Sequence, residues 1–417
     1  MSERPKIPRG VQALLASKFF NTVAVVCQVT ALGVLVFDMT GRTLDLGLLG
    51  LAEFAPTALL SPFTGAITDR FDRRYILGIG LAGELVASFV LLFYARSGPS
   101  SLPPVLLIVI FFGIARAFYA PPSRALPVDL APPGTIERVL ALNAATWQTG
   151  AIIGPIAAGF LYAVEPWTAF AFSSVLFTLS LLVVLRLPNS GVARLETSGV
   201  KAAVVDALEG LRFIRRTPVL FGAISLDLFA VLFGGAIALL PAIAKERLGV
   251  GAVGLGFLRA SVGFGAVSMS LALAVRPLTR RVGPVLLAAV ALFGVATVVL
   301  GFTRSYLVAL FALLVAAASD SVSVFIRSTI VPLATPENMR GRVLATENVF
   351  IGASNELGAF ESGVAGHFLG LVGGIVSGGL GTLAVVGVWW KAFPALRKID
   401  RFEELRPAEP DAAVPSG

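Results

Sequence analysis

Ionisable residues interrupt the long apolar stretches of this 417-residue chain at Glu53, Glu84, Arg116, Asp227, Arg259, Asp320, Glu347, Glu356 and Glu361. A charge near the centre of a bilayer costs several kcal/mol, so such residues face a cavity or a partner rather than lipid. A buried carboxyl holds a proton more readily than an exposed one, and a neighbouring arginine opposes that tendency. This competition lets a conformational change load or release a proton. Asp227 and Arg259 lie in consecutive apolar segments and are the first candidates to act together; a static ion pair is the alternative. Glu53, Glu84, Arg116, Asp320, Glu356 and Glu361 are further candidates for proton coupling or substrate contact. Glu347 and Glu361 are separated by about 40° around a helix, so they share a face, whereas Glu356 points elsewhere. A helix polar on more than one side suits a position between protein surfaces.

Other chemistries are missing. The chain has one histidine, His367, and one cysteine, Cys27, which excludes a zinc or iron–sulfur site built from those residues. There is no H-E-x-x-H, G-x-S-x-G or G-x-G-D pattern, and no Walker loop. An intramembrane enzyme and direct drive by ATP are therefore disfavoured, and neither a metal nor a cofactor is expected. His367 reads as an interfacial residue, and Asp38 as a solvated helix end.

The elements that position these residues follow from composition. Apolar residues make up 56% and charged residues only 14%, with a mean hydropathy of +0.86. A soluble domain is about a quarter charged. Runs of about 20 apolar residues can each cross a bilayer. Twelve are expected: 17–38, 46–67, 75–95, 103–120, 139–163, 167–187, 218–244, 253–276, 283–302, 305–328, 341–369 and 371–391. They are continuous rather than alternating, which predicts helices and not barrel strands. Gly98-Pro99, Pro103-Pro104, Pro121-Pro122, Pro132-Pro133 and Gly283-Pro284 punctuate the ends. The first run continues to Phe37, too long for a cleaved signal.

Basic residues orient the chain. With a cytoplasmic N-terminus, only Arg42, Arg96, Lys245, Arg247 and Arg304 fall outside, and Arg259 lies in the outer part of a span; the rest of the 33 Lys and Arg are in inner loops or the inner parts of spans. The net charge of +8 thus reads as membrane orientation, and no nucleic-acid partner is expected. Both termini are predicted to be cytoplasmic, in a multi-pass inner (plasma) membrane protein. Residues 1–187 form an N-terminal six-helix bundle and 218–391 a C-terminal one, with 188–217 a cytoplasmic linker. Its second part has helical apolar spacing at Val204, Val205, Leu208, Leu211 and Ile214, an amphipathic helix on the membrane surface. The tail, 392–417, is expected to be disordered. The 6+6 division suggests an internal repeat, hence an all-α membrane protein of two pseudo-symmetric six-helix bundles.

The loop between the second and third spans reads G-A-I-T-D-R-F-D-R-R-Y-I-L, residues 65–77. It resembles the major facilitator superfamily signature at Gly65, Asp69, Arg70, Arg73, Arg74 and Leu77. Asp72 stands where the second glycine is usual. The corresponding second-half loop, R-P-L-T-R-R-V-G-P-V-L, has Arg280 where the acid would stand. The resemblance implies a cytoplasmic gate in which Asp69 faces the start of the eleventh span near Arg340 and Arg342. In the fifth span, G-A-I-I-G-P-I-A-A-G resembles an exporter-associated pattern. Gly150, Gly154 and Ala158 make one face small, with Pro155 and Gly159 beside it; such a face permits close approach to a neighbour. Arg116 matches the arginine of the fourth-span R-x-x-q-G motif, but the residues after it do not complete that motif. Stretches at 137–150, 206–218 and 334–343 resemble the group that contains the enterobactin exporter and drug efflux proteins.

That resemblance implies the major facilitator fold and a secondary active transporter working by alternating access. The expected cargo is a lipophilic or amphipathic small molecule, drug- or siderophore-like, exported in exchange for protons by a monomer in the bilayer. The alternative is a facilitator or symporter that takes up a small metabolite. The first span has no central acid, which weakens the proton argument.

Overall fold

The computed structural model describes residues 7–132, 134–187 and 200–406, and no strand occurs among them. The first part of the expected linker, 188–199, and the end of the tail, 407–417, lie outside the described residues. The helices are α1 (Arg9–Thr40), α2 (Thr43–Arg70), α3 (Arg73–Arg96), α4 (Leu102–Asp129), α5 (Ile136–Val164), α6 (Pro166–Leu185), α7 (Val200–Arg216) and α8 (Pro218–Phe233). They continue with α9 (Leu240–Ala242), α10 (Ala252–Val275), α11 (Val282–Phe302), α12 (Tyr306–Leu333), α13 (Glu337–Ala392) and α14 (Pro394–Arg397). Among the described residues, 11 helical stretches are long and apolar enough to cross a membrane, Pro218–Arg247 counted as one.

The count of spans turns on α13. Its 56 residues would extend about 84 Å at 1.5 Å per residue, nearly three times a hydrocarbon core of about 30 Å. The helix breaks at Gly370, whose φ of 73° and ψ of 164° are not helical and suit glycine alone. A β-carbon on Gly374 would fall 2.7 Å from the Gly366 Cα, so the two arms close on each other just beyond the break. Read as 337–369 and 371–392, they agree with the twelve expected spans.

The chain forms two compact units, Met1–Val200 with Ala238–Gly263, and Lys201–Ile237 with Phe264–Gly417. In the first, α1 packs on α5 and α6, α3 on α4 and α6, and α2 on α4. Phe112 and Phe177 meet edge to face in a core with Ala24 and Ala87. In the second, α13 packs on α8 and α11, and α11 on α12. Leu220, Leu226, Leu286 and Ile330 form its core.

Several local expectations give way. Pro121 and Pro122 do not end the fourth span; α4 runs on through them and Pro127 to Asp129. Proline removes a helix donor, and Pro127 leaves the Ser123 carbonyl without its usual N–H. Lys18 Nζ donates to that carbonyl at 3.3 Å. The seventh span is not one helix: α8 stops at Phe233, and Gly235–Arg247 passes through a 3-10 turn, α9 and a π turn. Gly234, Gly235 and Pro241 account for the interruption. Asp72 does not weaken its turn, because its carboxylate accepts the Arg74 N–H at 2.9 Å and caps α3.

Part of the tail is also ordered, contrary to the expectation for 392–417. Leu396 and Ile399 are buried, and Phe402 meets Phe325 edge to face. The tail covers the start of α11. The Asp400 carbonyl accepts from Val282 N–H at 3.2 Å and the Ile399 carbonyl from Gly283 N–H at 2.9 Å. Asp400 Oδ1 accepts from Arg281 N–H at 3.0 Å, and Asp400 Oδ2 lies 3.7 Å from Arg280 Nε. These are the donors a helix start leaves unsatisfied. An acid from the far end of the unit thereby serves the loop that lacks one of its own.

Candidate functional site

Each unit encloses a cluster of ionisable side chains. In the second, Arg327 on α12 reaches Asp227 on α8 (Nη2 to Oδ1, 2.7 Å) and Glu347 on α13 (Nη1 to Oε1, 4.0 Å). The three side chains are 4%, 7% and 9% exposed, so water screens them little. Arg327 Nε donates weakly to Ser323 Oγ at 3.4 Å. Asp320, one turn before Ser323 on α12, lies within electrostatic reach of both Arg327 and Asp227. Two carboxyl groups thus contact one guanidinium, and a third lies within its electrostatic reach. With all three ionised the group carries a net charge of about −2 in a low-dielectric interior, an expensive state that proton uptake relieves.

In the first unit, Arg116 Nη1 lies 3.7 Å from Glu53 Oε1, and its guanidinium sits 5.7 Å from the Phe112 ring centroid. Glu84 is fully buried and accepts a hydrogen bond from Asn21 Nδ2; Arg116 acts on it electrostatically. The other Glu84 oxygen, Oε1, and both amide atoms of Gln28 are buried without a protein partner. Arg259 donates to Thr30 Oγ1 at 3.2 Å, and Glu53 acts on it electrostatically.

Of the two residues expected to act together, Asp227 is held by Arg327 within the second unit and Arg259 by Thr30 within the first. Arg327 does not stand out in the sequence, because the apolar run of the tenth span ends at 328. The helix runs to Leu333, which moves Arg327 from the membrane edge into the interior. Its spacing of seven from Asp320 was the available signal, since both then share a face. Asn21, uncharged in a span with no central acid, gives no such signal in the sequence.

Glu361 keeps a weak contact with Ser362 Oγ at 3.4 Å, and Glu356 is half-buried on the same helix. His367 is exposed beside Phe368, with ring centroids 5.1 Å apart. Asp38 stands exposed at the end of α1, as expected of a solvated helix end, and accepts from Lys245 Nζ and from the Tyr162 hydroxyl.

In the signature loop, Arg73 joins two acids: Asp129 at 2.5 Å and Asp69 at 3.5 Å. Arg74 donates to the Leu187 carbonyl, Arg70 is exposed, and Gly65 has open space around it. The loop so ties the ends of α2, α3 and α4. In the second unit Arg342 pairs with Glu209 of α7 at 2.7 Å, while Arg340 is half-buried. Gly210 lies against the backbone of Arg342, and Ile214 is buried. The C-terminal half of α7 is thus docked on α13, with Val205 and Leu208 left exposed.

The small face of α5 works as its spacing implies. A β-carbon on Gly150 would meet Thr22 Cγ2 at 2.6 Å, and one on Gly154 would meet Val26 Cβ at 2.8 Å. One on Gly159 would meet the Ala252 carbonyl at 2.6 Å, and Gly256 stands equally close to the Pro155 carbonyl. Glycine therefore lets α5 touch α1 and the first half of α10 backbone to backbone.

Membrane-length helices around buried ion clusters define a polytopic membrane transport protein. Residues 14–359 match the Major Facilitator Superfamily, and the chain belongs to that family of transporters, not to an enzyme family. The multidrug efflux pump Tap of Mycolicibacterium fortuitum is 26% identical over 383 residues, covering 88% of this chain and 91% of that protein. Multidrug resistance protein 1 of Bacillus subtilis is 30% identical over 188 residues, 44% of this chain and 47% of the relative. The MFS-type transporter YfiS of Bacillus subtilis is 24% identical over 216 residues, 51% of each chain. The last two matches span about half the length of those relatives. Among solved structures, the nucleoside transporter NupG aligns with a TM-score of 0.68 at 13% identity, covering 94% of this chain and 100% of that one. The human organic anion transporter MFSD10 aligns with a TM-score of 0.63 at 18% identity, covering 93% and 100%. At these identities the structures speak for the fold alone.

Proposed function

We propose that the protein is a proton-coupled exporter of a lipophilic or amphipathic small molecule, working as a monomer by alternating access in the inner (plasma) membrane with both termini cytoplasmic. The observation that carries the coupling is the Arg327 cluster, where Asp227, Glu347 and Asp320 compete for one cation. A proton on Asp227 would free Arg327 to close on Glu347, so protonation state and helix position become linked. The family membership and relatives named as efflux pumps support export. The six-helix halves 1–187 and 218–391 are the moving parts in this reading. Asp69, held by Arg73 at the end of α2, belongs to the cytoplasmic gate in this reading.

Flux in proteoliposomes with a set pH on each side tests the proposal. Substrate should accumulate against its gradient, chemically unchanged, when a pH difference is imposed. Asp227→Asn should abolish uphill movement while leaving downhill exchange measurable. Uphill movement at the parental rate would remove Asp227 from the mechanism, and transport indifferent to pH would favour a facilitator.

A further inference from the structure

We propose that a pocket at the end of α1 remote from its N-terminus is a binding site for a primary amine with an apolar chain, a site the protein fills with its own Lys245. The cavity measures about 370 Å³ and is lined by Val34, Phe37, Asp38, Tyr162, Pro241 and Leu255 among others. That volume falls in the ordinary range for small-molecule sites. Its polar corner is a receptor for an ammonium group. Asp38 Oδ1 accepts from Lys245 Nζ, Asp38 Oδ2 accepts from the Tyr162 hydroxyl at 3.2 Å, and Nζ lies 5.9 Å from the Phe37 ring centroid. A carboxylate held by a hydroxyl, with an aromatic face near the cation, suits recognition of an alkylammonium.

Three features make Lys245 replaceable. Its side chain is 55% exposed and that of Asp38 39%, so the ion pair stabilises the fold little and an outside amine can compete with it. Lys245 sits in the irregular passage Gly235–Arg247, which includes a 3-10 turn and a π turn and lacks the uniform ladder that would resist a shift. The remaining walls, from Val34, Pro241, Val250 and Leu255, are apolar and offer a hydrocarbon chain contact that the lysine stem does not exhaust. A carboxylate ligand would meet Asp38 instead of a cation. Two sources share the required chemistry: a free amphipathic amine, and a lipid with an ethanolamine head group.

The test is thermal unfolding of the full chain in phosphatidylcholine nanodiscs with decylamine, decanol or decanoate as probes. Binding is read without any flux, so the result is independent of proton coupling. Lys245→Met should bind decylamine at about tenfold lower concentration than the parent, because the internal competitor is gone. Asp38→Asn combined with Lys245→Met should lose that response, and decanol and decanoate should not reproduce it. If Lys245→Met fails to fold, Lys245→Gln serves the same purpose. Equal decylamine shifts in the parent, the single variant and the double variant would overturn the proposal. Nanodiscs containing phosphatidylethanolamine separate the sources: a shift with the lipid alone, abolished by the double variant, assigns the site to lipid. A shift only with decylamine assigns it to a free amine.

Discussion

Arg327 is surrounded by more negative charge than it can neutralise, and removing it exposes that imbalance. Arg327→Met leaves Asp227 and Glu347 buried without their cation, so it should destabilise the fold by about 3–5 kcal/mol. Adding Asp227→Asn removes one of the stranded charges and should restore part of the loss. Thermal midpoints of the parent, both single variants and the double variant in one detergent measure this coupling. Strictly additive losses would show that the two residues do not act together. The sequence made Asp227, Glu84 and Asp320 visible as candidates, because an acid stands out in an apolar run. Their partners were not visible. Pairing depends on which helices are neighbours, and nothing in the letters of α8 says that α12 lies beside it.

Among the elements, the segment after α13 is the one with an unforeseen role. Asp400→Ala removes the side-chain acceptor of the Arg281 N–H while the carbonyls of Ile399 and Asp400 remain. The expected cost is about 1 kcal/mol, as for loss of a helix cap. A lower thermal midpoint for this variant, beside an unchanged one for the exposed Glu403→Ala, would confirm the cap. Equal midpoints would show that the backbone contacts suffice. Prolines and alanines dominate the tail only beyond Leu405. Leu396, Ile399 and Phe402 recur every three residues, a helical-face spacing that carried the missing information. The glycine face of α5 was legible from sequence, since a small-residue repeat has only one good use in a helix pair. The interruption after Phe233 was not, because Gly234 and Gly235 are ordinary in membrane helices until tertiary contacts exploit them.

For the molecule as a whole, hydropathy was the most informative signal. A bilayer leaves a spanning backbone no option but to satisfy its own hydrogen bonds, so apolar runs translate directly into helices. The topology that follows can be checked with single cysteines on a Cys27→Ser background. In right-side-out vesicles an impermeant maleimide should label Ser97→Cys and Ser305→Cys but not Glu403→Cys. Labelling of all three, or of Glu403→Cys alone, would overturn the orientation. What hydropathy could not supply was the identity of the cargo, since the same apolar surface faces lipid and ligand alike.

The tail's grip on α11 has a consequence during synthesis. Asp400 and Arg281 are 119 positions apart, so α11 enters the membrane long before its acceptors exist. At about 5–20 residues per second the ribosome needs roughly 6–24 s to deliver them. Throughout that interval the amide protons at the head of α11 must borrow water or lipid phosphate, so that corner cannot complete its bonding until the tail is made.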